Sequence, residues 1–268
     1  MSYPIANVFD DLTYGFEFEF IGDSDPASLH NFSNKMKQLG VPYTFTGKYG
    51  KNDEGAWVLG SDGSVGDVDT KKELGGKFGF ELVSPVLKSK DFPILRSVLD
   101  AVKSALHGYT NQTCGTHVHV GSLAFMRRGE QYGNEPFSRG NCAVWLFSKT
   151  QPILWNHLVQ ENRANNRYCG QYIEGGFETD KYLALSCSGF MTHCKHPTME
   201  CRLHHGTLNA DEITDWALTV AHFLWFCFHE KPEIHIDPKK EHAENAMCLL
   251  KQFGVNDELR ERIKNRFQ

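Results

Sequence analysis

The chain has 268 residues, 40% of them apolar and 23% charged, with a formal net charge of −5. That length can bury a sizeable core in one or at most two domains, and the composition is that of an ordinary globular protein. The negative balance, with no run of Lys or Arg, argues against a protein that coats nucleic acid by neutralising phosphates, and no general nucleic-acid binding is expected.

Read from its start, MSYPIANVFDD has neither a basic n-region nor an apolar h-region, so no signal peptide is expected. The longest apolar stretch, 217–228, is interrupted by Thr219 and His222 and is too short to span a bilayer. A cytoplasmic protein is the expectation. Residues 13–21, TYGFEFEFI, alternate as a strand, with Phe16, Phe18 and Phe20 on one side and Glu17 and Glu19 on the other. Residues 27–39 predict a helix through Leu29, Phe32, Met36 and Leu39, stopped by Gly40. A short strand, AWVLG, leads into SDGS (61–64) and a Gly/Asp/Lys-rich loop over 60–79. GFELVSP (79–85) predicts a strand closed by Pro85, and Asp91 and Pro93 open an amphipathic helix to Leu106.

CGTHVHVGS (114–122) is the next strand, and 141–160 predicts a helix kinked at Pro152. The segment 161–180 is polar and irregular, with glycines at 170, 175 and 176, and predicts a lid over substrate. TMECRLHHG (198–206) alternates as a strand. Asn209, with Glu212 three residues later, predicts the capped start of a long helix to 229. Two more helices close the chain, with 238–268 as a C-terminal helical extension. No repeat, low-complexity tract or linker stands out, so one α+β domain over 1–268 is the economical expectation. The eight cysteines include no Cys-x-x-Cys and predict free thiols. The densest Cys/His run, Cys187, His193, Cys194, His196 and Cys201, matches no common zinc spacing.

The strands' polar faces carry the chemistry. Glu17 and Glu19 share a face, as do His117 and His119, and as do Glu200, Arg202 and His204; Glu81 sits opposite Leu82 in sidedness. A solvent face usually carries Lys, Thr, Ser and Gln. These faces carry Glu, His and Arg with no Lys, and in one sheet they would concentrate negative charge that cations neutralise. Carboxylates with one or two imidazoles suit Mg²⁺ or Mn²⁺ better than structural zinc, and Mg²⁺ commonly bridges carboxylates to phosphates. Neither G-x-x-x-x-G-K-[ST] nor G-x-G-x-x-G occurs, so a nucleotide would be held through metals and arginines.

Taken in order, GFEFEF, SDGS, FELVSP, CGTHVHVG, NRYC and ECRLHHGTLNADEITDW resemble the amidoligase family, over residues 14–229. That family is frequent in phages and bacteria and belongs with the glutamine synthetase-like carboxylate–amine ligases. The resemblance implies a curved, mainly antiparallel sheet with a concave metal- and nucleotide-binding face and helices on the other side. It implies ATP and two or three Mg²⁺ or Mn²⁺ ions as cofactors, and a small-molecule or peptide carboxylate and an amine as substrates. Glu17, Glu19, Glu81, His117 and Glu200 are then the metal ligands, and His119 neighbours phosphate and substrate. Arg202 is a phosphate or transition-state contact, and Arg163 and Arg167 are substrate-proximal, Arg163 as a cofactor contact and Arg167 as a catalytic group beside Arg202. Asp62 and Ser64 match the family's Asp-Gly-Ser, with Asp62 the candidate to take the amine's proton and Ser64 to contact a cofactor. The oligomeric state is left open. Two rival readings stand beside this one. A metal-dependent hydrolase of the H-x-H-x-D-H kind would need an Asp where Gly121 stands; an inert binding relative would be expected to lose some of these residues.

Overall fold

The alternation in TYGFEFEFIG produces strand β1 (Thr13–Gly22). Its Phe16, Phe18 and Phe20 are fully buried, and Phe92 meets the rings of Tyr14 and Phe16 edge-on at 4.9 and 5.6 Å. This computed structural model describes residues 12–47, 55–66, 77–121, 136–164, 166–173, 180, 182–188, 197–229 and 233–265. The chain divides into two compact units. One comprises Thr13–Val118 with His205–Ile213, the other Met1–Leu12, His119–His204 and Thr214–Gln268.

The first unit holds β1, β2 (Tyr43–Phe45), β3 (Trp57–Ser61), β4 (Phe78–Val83) and the start of β5 (Thr116–Gly121), in the order β2-β3-β4-β1-β5. β4 is antiparallel to both β1 and β3, and β2 runs parallel to β3. Helix α1 (Pro26–Gln38) starts where Asp25 accepts hydrogen bonds from the Ala27 and Ser28 amides, both at 3.0 Å, with Pro26 at the first helical position. It stops at Gly40, whose φ of +67° only glycine adopts at no cost. Helix α2 (Pro93–Ala105) buries Leu95, Val98, Leu99 and Val102, one stripe at helical spacing, and packs against α1. The phenylalanine side of β1 is therefore core, and its glutamates face the other way.

The second unit holds the remainder of β5 with β7 (Thr198–Cys201) and β6 (Leu185–Ser186), in the order β5-β7-β6; β6 and β7 are antiparallel. Its helices are α3 (Pro136–Thr150), the body of α4 (Ala210–His229), α5 (His242–Gln252) and α6 (Asp257–Lys264). Trp155 forms its aromatic centre, stacked on Phe147 at 4.5 Å and edge-on to Trp216 and Phe223 at 5.6 and 5.4 Å. Arg262 ties α6 to Asp215 of α4 at 2.9 Å. The fold is α+β, with a mixed and mainly antiparallel set of strands. No helix among the described residues is long and apolar enough to cross a membrane. The seven described cysteines are free thiols. His193, Cys194 and His196 of the Cys/His run lie outside the described residues.

Five features differ from expectation. The helix expected over 141–160 begins at Pro136 and ends at Thr150, ahead of Pro152, and a short 3-10 turn (Trp155–His157) follows. Pro152 disfavours helical backbone at Gln151. Thr150 also closes the end locally, donating to the Leu146 carbonyl and accepting from Trp155 Nε1, both at 2.9 Å. The strand expected over 198–206 ends at Cys201, and the His204 ring is buried against Trp216 at 4.8 Å. Asn209 caps α4, accepting from the Asp211 and Glu212 amides at 3.1 and 3.4 Å. Glu212, however, is held by His205 at 3.0 Å and Thr207 at 2.8 Å. β2 and β6 carry no sequence signal of their own; they have three and two residues.

One buried group makes the fold sensitive to acid. Desolvation lowers the His222 pKa from its ordinary value to about 4, and a hydrogen bond to the Phe253 backbone offsets part of this. The unfolded chain therefore binds this proton more readily than the folded one. Stability is fully present above the ordinary histidine pKa and is lost as pH falls towards the folded value, by up to about 3 kcal/mol. His222→Gln removes the titration and keeps an amide donor. Urea midpoints at about pH 7 and about pH 5 should fall less for H222Q than for the parent.

Candidate functional site

In the first unit, period two on β1 turns Glu17 and Glu19 away from the phenylalanine core. The β1–β4 register puts Glu19 directly opposite Glu81. Like charges in that position repel, and both side chains are buried, with Glu19 7% and Glu81 5% exposed. His117 of β5, 2% exposed, lies between the two β1 glutamates. Its Nδ1 is 2.8 Å from Glu17 Oε2, and its Nε2 is 3.6 Å from Glu19 Oε1. Glu19 Oε2 also accepts the Gly115 amide.

Asp62 reaches this group from the turn after β3. Its backbone amide donates to the Gly79 carbonyl at 3.1 Å. Gly79 allows the approach, because a Cβ there would sit 2.4 Å from the Val65 carbonyl oxygen and 2.9 Å from that of Asp62. The Ser64 amide and hydroxyl both donate to Asp62 Oδ1 at 2.7 Å, so Ser64 orients the carboxylate. Two overlapping donor sets result. Glu17, Glu81 and His117 form one, and Glu19, Asp62 and Glu81 the other; within each, all ligand atoms lie within 4.8 Å of one another. Glu81 is common to both. Oxygen-rich donors with one imidazole fit hard divalent cations such as Mg²⁺ and Mn²⁺, and lack the thiolates of structural zinc.

The second unit carries the other expected residues. His119 Nδ1 lies 3.2 Å from Thr198 Oγ1, and its Nε2 lies 4.0 Å from Glu200 Oε1. Arg202 pairs through Nη1 with Glu200 and donates from Nε to the Tyr168 carbonyl at 3.2 Å. Arg167 is exposed, with its guanidinium over the Tyr168 ring at 4.7 Å and Nη2 donating to the Tyr168 hydroxyl at 2.7 Å. Arg163 turns inward. It is 1% exposed and its Nη2 donates to the Arg202 carbonyl at 2.8 Å. The segment expected as a lid is a single helical turn, Glu161–Ala164, followed by irregular chain; residues 165 and 174–179 lie outside the described residues. Among the partners that escaped the sequence reading are the Gly115 amide and the Tyr168 carbonyl. Both are backbone atoms, which leave no side-chain pattern to find.

Hard oxygen donors around one imidazole, on the strands of an α+β fold, make a candidate centre for divalent cations. The chain belongs to the family described as "Putative amidoligase enzyme", whose profile matches residues 10–179. Its class is therefore that of carboxylate–amine ligases, and its substrates are in general a carboxylate and an amine. The matched span includes every expected site residue except Glu200 and Arg202. No protein of curated function matches the chain. Among solved structures the chain is similar to apo GmaS without ligand, at 14% identity and a TM-score of 0.43, over 98% of this chain and 68% of that one.

Proposed function

We propose that the protein is an ATP-dependent carboxylate–amine ligase that activates its carboxylate as an acyl phosphate and releases ADP and phosphate. The observation that carries this reading is the buried Glu19–Glu81 pair with Asp62, Glu17 and His117 around it. So much negative charge in a buried cluster suits cations that in turn attract polyphosphate. Glu17, Glu19, Glu81 and His117 supply the donors, with Glu200 a further ligand. Two or three Mg²⁺ or Mn²⁺ ions, when bound, would neutralise the triphosphate and the acceptor carboxylate as they approach.

A carboxylate is a poor electrophile and an ammonium is no nucleophile, so the reaction needs two devices. A carboxylate oxygen attacks the γ-phosphorus, the bond to the bridging oxygen breaks, and ADP leaves. The free amine then attacks the acyl carbon, phosphate departs, and a base takes the amine's proton. Arg202 stabilises the transferring phosphoryl group, with Arg167 and His119 as further phosphate contacts. Asp62, oriented by Ser64, is the candidate proton acceptor.

Isotope labelling tests the mechanism directly. With an ¹⁸O-labelled carboxylate substrate, found by screening amino acids and amines with ATP by mass spectrometry, one labelled oxygen is expected in the released phosphate. AMP and pyrophosphate as stoichiometric products would point to adenylation. Unlabelled phosphate would mean ATP hydrolysis uncoupled from ligation.

A further inference from the structure

Arg163 is an unusual residue to bury. Charged side chains are almost never fully buried unless paired, and burying a guanidinium costs free energy that hydrogen bonds must offset. Only 1% of Arg163 is exposed, and its Nε is buried with no hydrogen-bond partner among the described residues. The side chain nevertheless stays in this position, because Nη2 donates to the Arg202 carbonyl at 2.8 Å. The contact is reciprocated within the same stretch of chain. Arg202 Nε donates back to the Tyr168 carbonyl at 3.2 Å. Between these points the chain from Arg163 to Cys169 is folded onto itself. The Arg163 carbonyl accepts the Asn166 amide at 3.1 Å and the Cys169 thiol at 3.2 Å, and the Asn166 carbonyl accepts the Cys169 amide at 3.1 Å. The other side of Arg202 is tied to Ala184, whose carbonyl accepts its amide at 2.9 Å.

We propose that Arg163 is a positioning residue for Arg202: the turn from Arg163 to Cys169 is a clamp that grips the Arg202 backbone through the Arg163 guanidinium and the Arg202 guanidinium through the Tyr168 carbonyl. The role given to Arg202 rests on the ligase reading above, but the clamp itself rests on hydrogen bonds alone. Two fixed points, one on the main chain and one on Nε, leave the guanidinium little freedom beyond its pairing with Glu200. Such preorganisation is what a charge stabiliser needs. Arg163 in this assignment touches no substrate.

The test uses the whole protein with Arg163→Met, Arg163→Gln, Arg202→Lys and the double variant of Arg163→Met with Arg202→Lys. Removing the clamp misplaces the guanidinium, and kcat is expected to fall by about 10- to 100-fold with the KM for ATP changed less than about twofold. The double variant should be no slower than Arg202→Lys alone, because both changes disable one unit. A second readout needs no substrate. In ¹⁵N-arginine spectra the Arg202 Nε–H signal, assigned by its loss in R202K, should be sharp and slow to exchange in the parent and broadened or lost in R163M and R163Q. A parent without ATP turnover but with this spectral change defeats the ligase reading and leaves the clamp standing. An unchanged Arg202 signal, or additive losses in the double variant, overturns the clamp. If both Arg163 variants fail to fold cooperatively, Arg163 is a core residue and the assignment is equally overturned.

Discussion

Glu19→Gln is expected to abolish the rise in melting temperature that Mg²⁺ or Mn²⁺ gives the parent, while leaving the metal-free protein as stable or slightly more so. The two halves of this result have opposite signs, which is why the variant is informative. Without metal, glutamine removes one of two negative charges that face each other across β1 and β4. A directly opposed like-charge pair costs roughly 0.2–1 kcal/mol, so the variant should gain up to about 1 kcal/mol, worth roughly 2–4 °C in a chain of this size. The amide oxygen can still accept the Gly115 N–H. With metal, a carboxylate donor is gone. Saturating cation at about 100 times Kd stabilises the parent by about 2.7 kcal/mol, and that gain should vanish. Scanning calorimetry with and without metal, and with ATP added, reads both halves. A Glu19→Gln protein that is less stable without metal and still gains from it would make the carboxylate a structural group. Glu17→Gln and Glu200→Gln should lose the metal-dependent gain as well.

Arg202→Lys is expected to lower turnover at least about 100-fold, the scale seen when one preorganised charge stabiliser is removed. The substitution keeps the charge and discards the planar fork. Arg202 uses separate nitrogens for Glu200 and for the Tyr168 carbonyl. A lysine ammonium is a single point at the end of a flexible stem and cannot hold both positions in one geometry. The metal-dependent rise in melting temperature should survive, which separates this variant from the glutamate ones. Turnover within a few-fold of the parent would reduce Arg202 to a partner of Glu200.

The parts of the site legible in the sequence are those written by period two. GFEFEF separates three core phenylalanines from two glutamates, and the structure buries the first set and clusters the second. The helices announced themselves through Gly40, Pro93 and Asn209, residues whose backbone chemistry is strong enough to mark ends. What stayed hidden depends on partners that no local pattern names. Arg163, in a polar stretch, is expected beside substrate, and nothing local indicates that a carbonyl 39 positions away accepts its Nη2. His204 continues the alternation of TMECRLH on paper, yet the strand has already ended and the Trp216 ring takes it. Glu212 has the spacing of a capping-box partner, but His205 and Thr207 claim its carboxylate. For Arg163 and His204 a partner distant in sequence outcompeted a local pattern; for Glu212 two nearer residues, five and seven positions back, did so.

Gly79 bears on ion-size discrimination in the proposed metal centre. The aperture between Asp62 and the Glu19–Glu81 pair is set by how closely the SDGS turn lies on β4, and that distance exists only because residue 79 has no side chain. Mg²⁺ wants oxygens at about 2.0–2.1 Å and Ca²⁺ at about 2.3–2.6 Å. A difference of a few tenths of an ångström is smaller than the displacement one methyl group at position 79 would impose. In the proposed centre the choice of cation would therefore be tuned from a residue that offers no donor itself, two positions before Glu81 on the same face of β4.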